Sequence, residues 1–237
     1  TSISSNTFTH SCAAPTNLTL VGSVTSAVSM GILAGVAVSP IDDGIVYTVG
    51  FESDSFVVIN ATDRANPVVL GSIVGDTTNM EQATFVAISP NGRLAFVTAA
   101  SHCLAVVNVT DPYHPLVIGA IRNDATNLGL AHYVAVSPDA EHVYVTGHSG
   151  DSLSIISVVD PTNPTIIGSI LDDATHMESA YGVALSSDGL FAYVAGYKSK
   201  SLAVVNVTNP QIPSVVGVVY DESLNGGTGI TVSPNGK

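Results

Sequence analysis

The sequence predicts an all-β protein, a β-propeller built from four-stranded antiparallel blades of about 48 residues each. Three observations lead to this prediction. A phrase resembling Val-Ala-Val-Ser-Pro recurs at a steady spacing, each period holds four apolar runs of strand length, and no stretch shows sustained helical periodicity. Successive copies of the phrase start 50, 48, 49 and 47 residues apart, at Val36, Val86, Val134, Val183 and Ile230.

The first run of each period is rich in small residues. Blades converge on a central axis, so the innermost strand is the most crowded and favours small side chains. Turn residues such as Asn91-Gly92 follow this run and supply the positive φ that a tight hairpin needs. We therefore place the first run beside the central channel. Its central alanines are Ala37, Ala87, Ala135 and Ala184.

The other three runs of a period are richer in Val, Ile and Tyr. In the fourth period they cover residues 191–195, 202–207 and 215–219. β-Branched residues pack well on a pleated surface. Neighbouring blades cover both faces of each sheet, so these runs are apolar without a clean alternation. The helix candidates are short, such as residues 173–179 between the fourth and first runs.

The two ends of the chain fall at different places in the repeat. Residues 15–24 match residues 161–170, so the chain enters at a fourth, outermost strand. Four complete blades and a partial fifth follow. We divide the chain into an N-terminal arm, 1–16, and a propeller, 17–237, whose blades start near 36, 86, 134, 183 and 230. Either the chain continues beyond Lys237 into further blades, or a five-bladed ring closes with a poor fifth blade, or another subunit supplies strands.

Charge and composition exclude several classes of partner. Six Lys and Arg stand against 19 Asp and Glu, which gives a formal net charge of -13. Such a surface repels phosphate backbones and anionic lipid, so we expect no nucleic acid as a partner. No run approaches the roughly 18–20 apolar residues of a membrane helix, so we expect no membrane insertion. Cationic partners and neutral glycans stay open.

An oxygen-rich phrase of the form Asp-x-Thr recurs where the outer strand of one blade leads to the inner strand of the next. In a propeller these connections gather at one mouth of the channel, and such oxygens would suit a polyol or a hard cation such as calcium. The alternative, which repetition in each blade favours, is an Asp or Thr that caps one turn while a following Met or Leu plugs the blade junction. No other cofactor is expected. The candidate ligand-binding residues are Asp76, Thr78, Asn79, Asp124, Thr126, Asn127, Asp173, Thr175 and His176.

Four Asn-x-Ser/Thr sequons suggest N-linked glycans on a secreted protein. A structural alternative is an Asx turn, in which the asparagine side chain bonds nearby backbone. In the third blade Ser157 replaces the asparagine and Val159 replaces the threonine, so both halves of the sequon are lost together. This favours glycosylation. The candidate sites are Asn17, Asn60, Asn108 and Asn206.

Histidine, cysteine and serine form no recognisable catalytic motif. Seven histidines are scattered without the His-x-x-x-His spacing of a zinc site, although His132 and His176 fall near the predicted channel mouth. No Gly-x-Ser-x-Gly elbow or phosphate-binding loop occurs. Cys103 begins a third strand, where we expect a buried or paired thiol. Pairing with Cys12 would require the N-terminal arm to cross the ring.

Two families of repeat propellers resemble this pattern. Residues 56–63 and 202–210 resemble the third strand of the LVIVD repeat, while 136–139 followed by 143–146 is similar to the YVTN repeat. The resemblance spans residues 17–237 and implies a propeller. These families include surface and secreted proteins without known chemistry, beside a lactonase-like branch. The chain departs from the LVIVD wording, which carries Asp, at Asn60, Asn108, Ser157 and Asn206.

Low charge, sequons and the lack of catalytic motifs favour a protein that is not an enzyme. We expect an extracellular or cell-surface scaffold that binds protein partners or assembles with itself, with a glycosylated polymer as one such form. The alternative hypothesis is a metal-dependent, lactonase-like hydrolase with its site at the channel mouth. A carbohydrate-binding module is disfavoured, because the chain has no Trp and only 6% aromatic residues.

Overall fold

The computed structural model describes residues 21, 23–24, 31–123, 127–171, 173 and 175–233. Sixteen strands in this part of the chain form four separate sheets, and each sheet contains four antiparallel strands in sequence order. The predicted all-β fold of four complete four-stranded blades is confirmed. The predicted N-terminal arm, which contains Cys12, and the candidate glycosylation site Asn17 lie outside the described residues.

The strands of each blade run outward from the channel in chain order. The first two blades contain β1 (Leu33–Val38), β2 (Ile45–Gly50), β3 (Ser55–Asn60), β4 (Val68–Ile73), β5 (Ala83–Ile88), β6 (Leu94–Ala99), β7 (Cys103–Asn108) and β8 (Leu116–Arg122). The third and fourth contain β9 (Ala131–Val136), β10 (His142–Gly147), β11 (Ser152–Ser157), β12 (Thr165–Ile170), β13 (Ala180–Leu185), β14 (Phe191–Gly196), β15 (Ser201–Asn206) and β16 (Ser214–Tyr220).

Each junction between neighbouring blades has its own apolar core. Phe56 lies in the first core, Phe96 in the second and Tyr144 in the third. The connection between blades adds one fully buried side chain to each core, as the plug interpretation of the repeated phrase predicts. These plugs are Met80, Leu128 and Met177.

Burial of the third strand in the fourth blade differs from that in the other three blades. Strands β3, β7 and β11, in the first three blades, are buried along nearly their whole length. Strand β15, in the fourth blade, is instead buried at alternate residues, as expected for a sheet covered on one face. In β1 the side chains of Val36 and Val38 are 63% and 55% exposed.

The segment expected to begin a fifth blade lies beside the fourth. A Cβ atom on Gly182 of β13 would come within 2.7 Å of the carbonyl oxygen of Thr228, so the two backbones are in close contact. Residues 228–233 are not a strand in the described chain. The helix candidate at 173–179 forms turns where it is described, and a single 3-10 turn occurs at Glu222–Leu224. The described residues contain no helix with the length and apolar character needed to span a membrane.

Hydrogen bonds from left-handed turns link successive blades. The residue before each third strand has a positive φ, and in the first three blades its side chain accepts a backbone N–H from the next connection. The donor residue is itself left-handed, which costs free energy for residues other than glycine. The bonded pairs are Asp54 with Gln82 at 2.7 Å, His102 with Leu130 at 3.0 Å, and Asp151 with Ser179 at 2.6 Å.

Removal of the Asp151 carboxylate should destabilise the fold. Ser179 is buried, so Asp151→Ala leaves its N–H without an acceptor, and we expect a loss of about 1–3 kcal/mol in the free energy of unfolding. Asp151→Asn keeps an acceptor oxygen and tolerates the left-handed conformation, so it should retain most of the stability. Urea denaturation of both variants measures the difference. Equal losses in the two would contradict this role of the carboxylate.

Candidate functional site

Six aromatic and imidazole rings meet at the channel mouth where the inner strands begin. Phe85 comes from β5, His132 and Tyr133 come from β9, and Tyr181 comes from β13. The turns after β10 and β14 add the remaining two rings. We call these six residues the ring cluster: Phe85, His132, Tyr133, His148, Tyr181 and Tyr197.

Tyr181 lies at the centre of the ring cluster. Its ring stacks on His132 with centroids 4.1 Å apart and an interplanar angle of 29°. The ring of His148 meets Tyr181 edge-on at 5.8 Å and lies 5.5 Å from His132. Tyr133 and Tyr197 flank Tyr181 at 6.0 and 6.1 Å. The two histidines are therefore held against a wall of tyrosines.

Threonines of the second strands fix the backbone that carries these rings. The Thr98 hydroxyl donates to the carbonyl oxygen of His132 in the next blade at 2.9 Å. The Thr146 hydroxyl likewise donates to the carbonyl oxygen of Tyr181 at 2.5 Å. Both hydroxyls are buried, so each bond forms away from competing water. The second strand of one blade is thus hydrogen-bonded to the inner strand of the next blade at His132 and again at Tyr181.

A cavity of about 360 Å³ opens beside the ring cluster. Its volume is within the range of small-molecule sites, roughly 300–1,000 Å³. Its wall includes apolar groups, two hydroxyl-bearing threonines and three members of the ring cluster. The lining residues are Ile32, Ala34, Phe51, Thr84, His132, Tyr133, Tyr181 and Thr228.

Both histidines of the ring cluster are held in the neutral form. Burial, together with a smaller contribution from repulsion by His148, lowers the pKa of His132 from 6.5 to about 4. Burial also lowers the pKa of His148, and Lys198 adds to this while Asp151 opposes it. A neutral imidazole is a proton acceptor at pH 7, so the cavity carries a base beside hydroxyl donors.

The Asp-x-Thr residues mostly bond to their own turns. The Asp76 carboxylate accepts the backbone N–H groups of Thr78 and Asn79 at 3.1 Å each, and the Asn79 amide donates to it. The Asp173 carboxylate binds the backbone and the ring of His176. These are the capping interactions of the structural alternative.

The same connections extend toward the outer strands of the blades. The Thr78 carbonyl accepts from Arg122 at the end of β8, and the Thr175 carbonyl accepts from Tyr220 at the end of β16 at 3.1 Å. The Asn127 carbonyl accepts from Ser152 of its own blade at 3.1 Å. Asp124 and Thr126 lie outside the described residues. Ligand binding by this set stays a prediction.

No cluster of conventional metal ligands accompanies the ring cluster. Within the part of the chain that the structure describes, no group of three or more His, Cys, Asp or Glu side chains is placed to hold a metal ion. His132 lies in the cavity wall, as the sequence analysis expected of a residue near the mouth. His176 instead pairs with Asp173. The expectation of calcium stays untested.

The three described sequon asparagines form Asx turns. Asn60, Asn108 and Asn206 each accept the backbone N–H of the threonine two residues later, at 2.9, 3.0 and 3.0 Å. The Asp160 carboxylate accepts from Thr162 in a second Asx turn three residues further along the chain, which Asp63, Asp111 and Asn209 form in the other blades. The described sequon asparagines thus have a structural role of their own, and glycosylation stays a prediction.

Sequence reasoning missed most of the ring cluster. His132 was noticed, but Tyr133, His148, Tyr181 and Tyr197 were not. The available signal was a departure from the repeat: where β9 has His132-Tyr133 and β13 has Tyr181-Gly182, the other inner strands have different residues. Chemistry that is needed once belongs at positions that the repeat does not copy.

Solved structures similar to this chain include β-propellers from several organisms. The Cps50 (Swd1) β-propeller domain of Myceliophteria thermophila matches with a TM-score of 0.63 and 14% identity, over 81% of this chain and 60% of that one. A candidate 6-phosphogluconolactonase of Bacteroides fragilis matches with a TM-score of 0.69 and 16% identity, over 88% and 62%. The periplasmic gluconolactonase PpgL of Pseudomonas aeruginosa matches with a TM-score of 0.66 and 17% identity, over 80% and 54%.

These likenesses establish the propeller fold. The chain spans between 54% and 62% of the length of the three solved structures. A scan against family models and a search of curated proteins found no match. The resemblance to the YVTN and LVIVD repeats therefore stays a resemblance.

The comparisons correct one expectation. The lack of a catalytic motif led us to expect a protein that is not an enzyme, and that prediction is wrong. Two of the similar structures are described as lactonases, one of them a gluconolactonase. In this fold the absence of a linear motif therefore does not exclude a hydrolase, because side chains from separate blades converge at the channel mouth.

Stability should depend on the neutrality of His132. Between pH 6.5 and about 4 the unfolded chain binds a proton at this residue that the folded chain does not. The contribution to stability is therefore complete above pH 6.5 and is lost as the pH falls through this window, by about 2 kcal/mol after allowance for partial exposure. Denaturant unfolding as a function of pH measures the slope, and His132→Gln should flatten it. An unchanged slope in that variant would contradict the assignment.

Replacement of Cys103 by serine should stabilise the second blade. At the start of the third strand, two serine hydroxyl oxygens lie 2.7 Å apart in the first blade and 2.8 Å apart in the fourth. At the same place in the second blade Ser101 faces the buried Cys103 instead, and the Ser101 hydroxyl is unpaired among the described residues. Burial raises the pKa of the Cys103 thiol to about 11. We expect Cys103→Ser to raise the free energy of unfolding by about 0.5–1.5 kcal/mol. Cys103→Ala removes the thiol without supplying a partner, so a matching gain there would refute the explanation.

Proposed function

We propose that the chain belongs to a hydrolase that opens cyclic esters at the channel mouth, with His132 as the catalytic base and His148 as the residue that sets its proton affinity. One observation carries the proposal: two neutral imidazoles lie with ring centroids 5.5 Å apart, packed against tyrosines, beside a cavity of about 360 Å³. Acid and base residues with shifted pKa values in a cavity are characteristic of active sites.

Lactone hydrolysis needs a proton acceptor and a proton donor in turn. A neutral His132 accepts a proton from water as the water oxygen bonds to the ester carbonyl carbon. The bond between that carbon and the ring oxygen then breaks, and the imidazolium returns the proton to the ring oxygen. The product is the open hydroxy acid. Tyrosine hydroxyls of the ring cluster are suited to donate to the carbonyl oxygen as negative charge develops there.

The two imidazoles act as one unit. Each disfavours the charge of the other, since repulsion from His148 lowers the pKa of His132. The pair therefore holds a single proton during the reaction, and the second imidazole stays neutral. His132 lies in the cavity wall and takes the proton, and His148 sets its proton affinity.

The similar solved structures add support. A candidate 6-phosphogluconolactonase and a periplasmic gluconolactonase have the same fold. Because the chain spans only part of their length, the activity of the whole protein belongs to the proposal. An extracellular location and N-linked glycans at Asn60, Asn108 and Asn206 stay predictions beside it.

His132→Ala should abolish most of the lactonase activity. Loss of a general base typically lowers kcat by about 10²–10⁴-fold. Proton release during hydrolysis of D-glucono-1,5-lactone measures the rate once spontaneous opening is subtracted. His114→Ala is the matched control, because His114 is an exposed histidine that pairs with Asp111 away from the cavity. Equal activity in the two variants would refute the proposal.

His148→Gln separates a positioning role from a structural one. Without repulsion from His148 the pKa of His132 should rise, so the acid limb of the kcat/KM profile should move to higher pH. A variant that merely loses stability would lower the rate without moving the profile.

A further inference from the structure

As far as the structure describes the chain, the lining of the cavity has polar groups but no formal charge at neutral pH. Its polar side chains are hydroxyls and one imidazole, and burial keeps that imidazole neutral. Among the eight lining residues none is Lys, Arg, Asp or Glu. The Thr84 hydroxyl is committed to the Ala131 carbonyl at 2.8 Å, while Thr228 is exposed. The cavity therefore offers hydrogen bonds without ionic partners.

Phosphate or carboxylate groups usually require cationic partners in a protein site. Arg and Lys supply them through charge-assisted hydrogen bonds. Here the chain has a formal net charge of -13, which opposes the approach of anions. At the rim, Lys198 and Asp151 act in opposite directions on the pKa of His148, so their charges offset one another there. An anionic substrate gains little from this environment.

Tyr181 contributes an aromatic ring to the wall of the cavity. It is half-buried and is surrounded by His132, His148, Tyr133 and Tyr197 with centroids 4.1–6.1 Å away. The neighbours fix its orientation, so little side-chain entropy is lost when a ligand binds. The negative face of an aromatic ring attracts polarised C–H groups such as those of a hydroxylated ring.

We propose, building on the lactonase function, that the cavity selects uncharged hydroxylated cyclic esters and discriminates against phosphorylated ones, with Tyr181 as an aromatic wall residue that the substrate ring contacts. The edge hydroxyls of such a ring match the hydroxyl and imidazole lining. His132 lines the same cavity as Tyr181, so the ester carbonyl of a bound ring can approach this base. Selection by the cavity thus rests on the absence of charge in its lining.

The test compares D-glucono-1,5-lactone with its 6-phosphate at equal concentration. We expect kcat/KM for the unphosphorylated lactone to be higher by about tenfold or more. Tyr181→Ala should raise KM for that lactone by about tenfold, whereas Tyr181→Phe keeps the ring and should leave KM near the parent value while loss of the hydroxyl lowers kcat. Tyr113→Ala is the matched control, because Tyr113 is an exposed tyrosine outside the ring cluster. A preference for the phosphorylated lactone would overturn the selectivity and leave the lactonase function standing.

Calorimetric measurement of D-glucono-1,5-lactam binding distinguishes failure of the substrate-selectivity proposal from failure of the lactonase proposal. The lactam presents the same hydroxylated ring with an amide in place of the ester and is not turned over. If the parent protein binds the lactam, Tyr181→Ala does not, and neither lactone is hydrolysed, the proposed binding of uncharged rings is supported and the lactonase function is refuted. Absence of lactam binding in the folded parent protein would overturn the proposed binding of uncharged rings.

Discussion

The structure depends on the packing of each blade's sheet against the next. Every sheet has apolar residues on both faces, so a blade buries its surface only when a neighbour covers it. Met80, Leu128 and Met177 complete these contacts from the connections between blades. Each connection must therefore turn sharply, deliver its plug and start the next inner strand. The left-handed residues and their side-chain acceptors follow from that requirement.

The sequence predicted the blades well because packing imposes the same demand on each copy. It placed the inner strands too late, however. The repeated phrase begins at Val134 and Val183, whereas the strands begin at Ala131 and Ala180. The intervening residues differ between blades, so a search for repeats leaves them out. Those unrepeated positions carry His132, Tyr133 and Tyr181.

The overall composition does not reveal the ring cluster, for a related reason. A chain with 6% aromatic residues and no Trp is a poor candidate for a stacking site on average. The fold nevertheless brings Phe85, Tyr133, Tyr181 and Tyr197 to one mouth from three different blades. An average over the sequence contains no information about this convergence, because the residues are up to about a hundred positions apart and meet only when the blades stack. The Asp-x-Thr phrase shows the reverse: it is conspicuous in the sequence, but its described side chains mostly cap their own turns.

Two opposing effects act on the proton affinity of His132. The net charge of -13 favours a protonated imidazole, whereas burial against Tyr181 favours a neutral one. Burial prevails, since the pKa falls to about 4. A substrate on Tyr181 would exclude more water and favour the neutral base further. When water attacks, negative charge forms on the ester oxygen beside the new imidazolium, and the same low polarity then strengthens their attraction. Tyr181, which the substrate would contact, therefore also influences the pKa of the base His132.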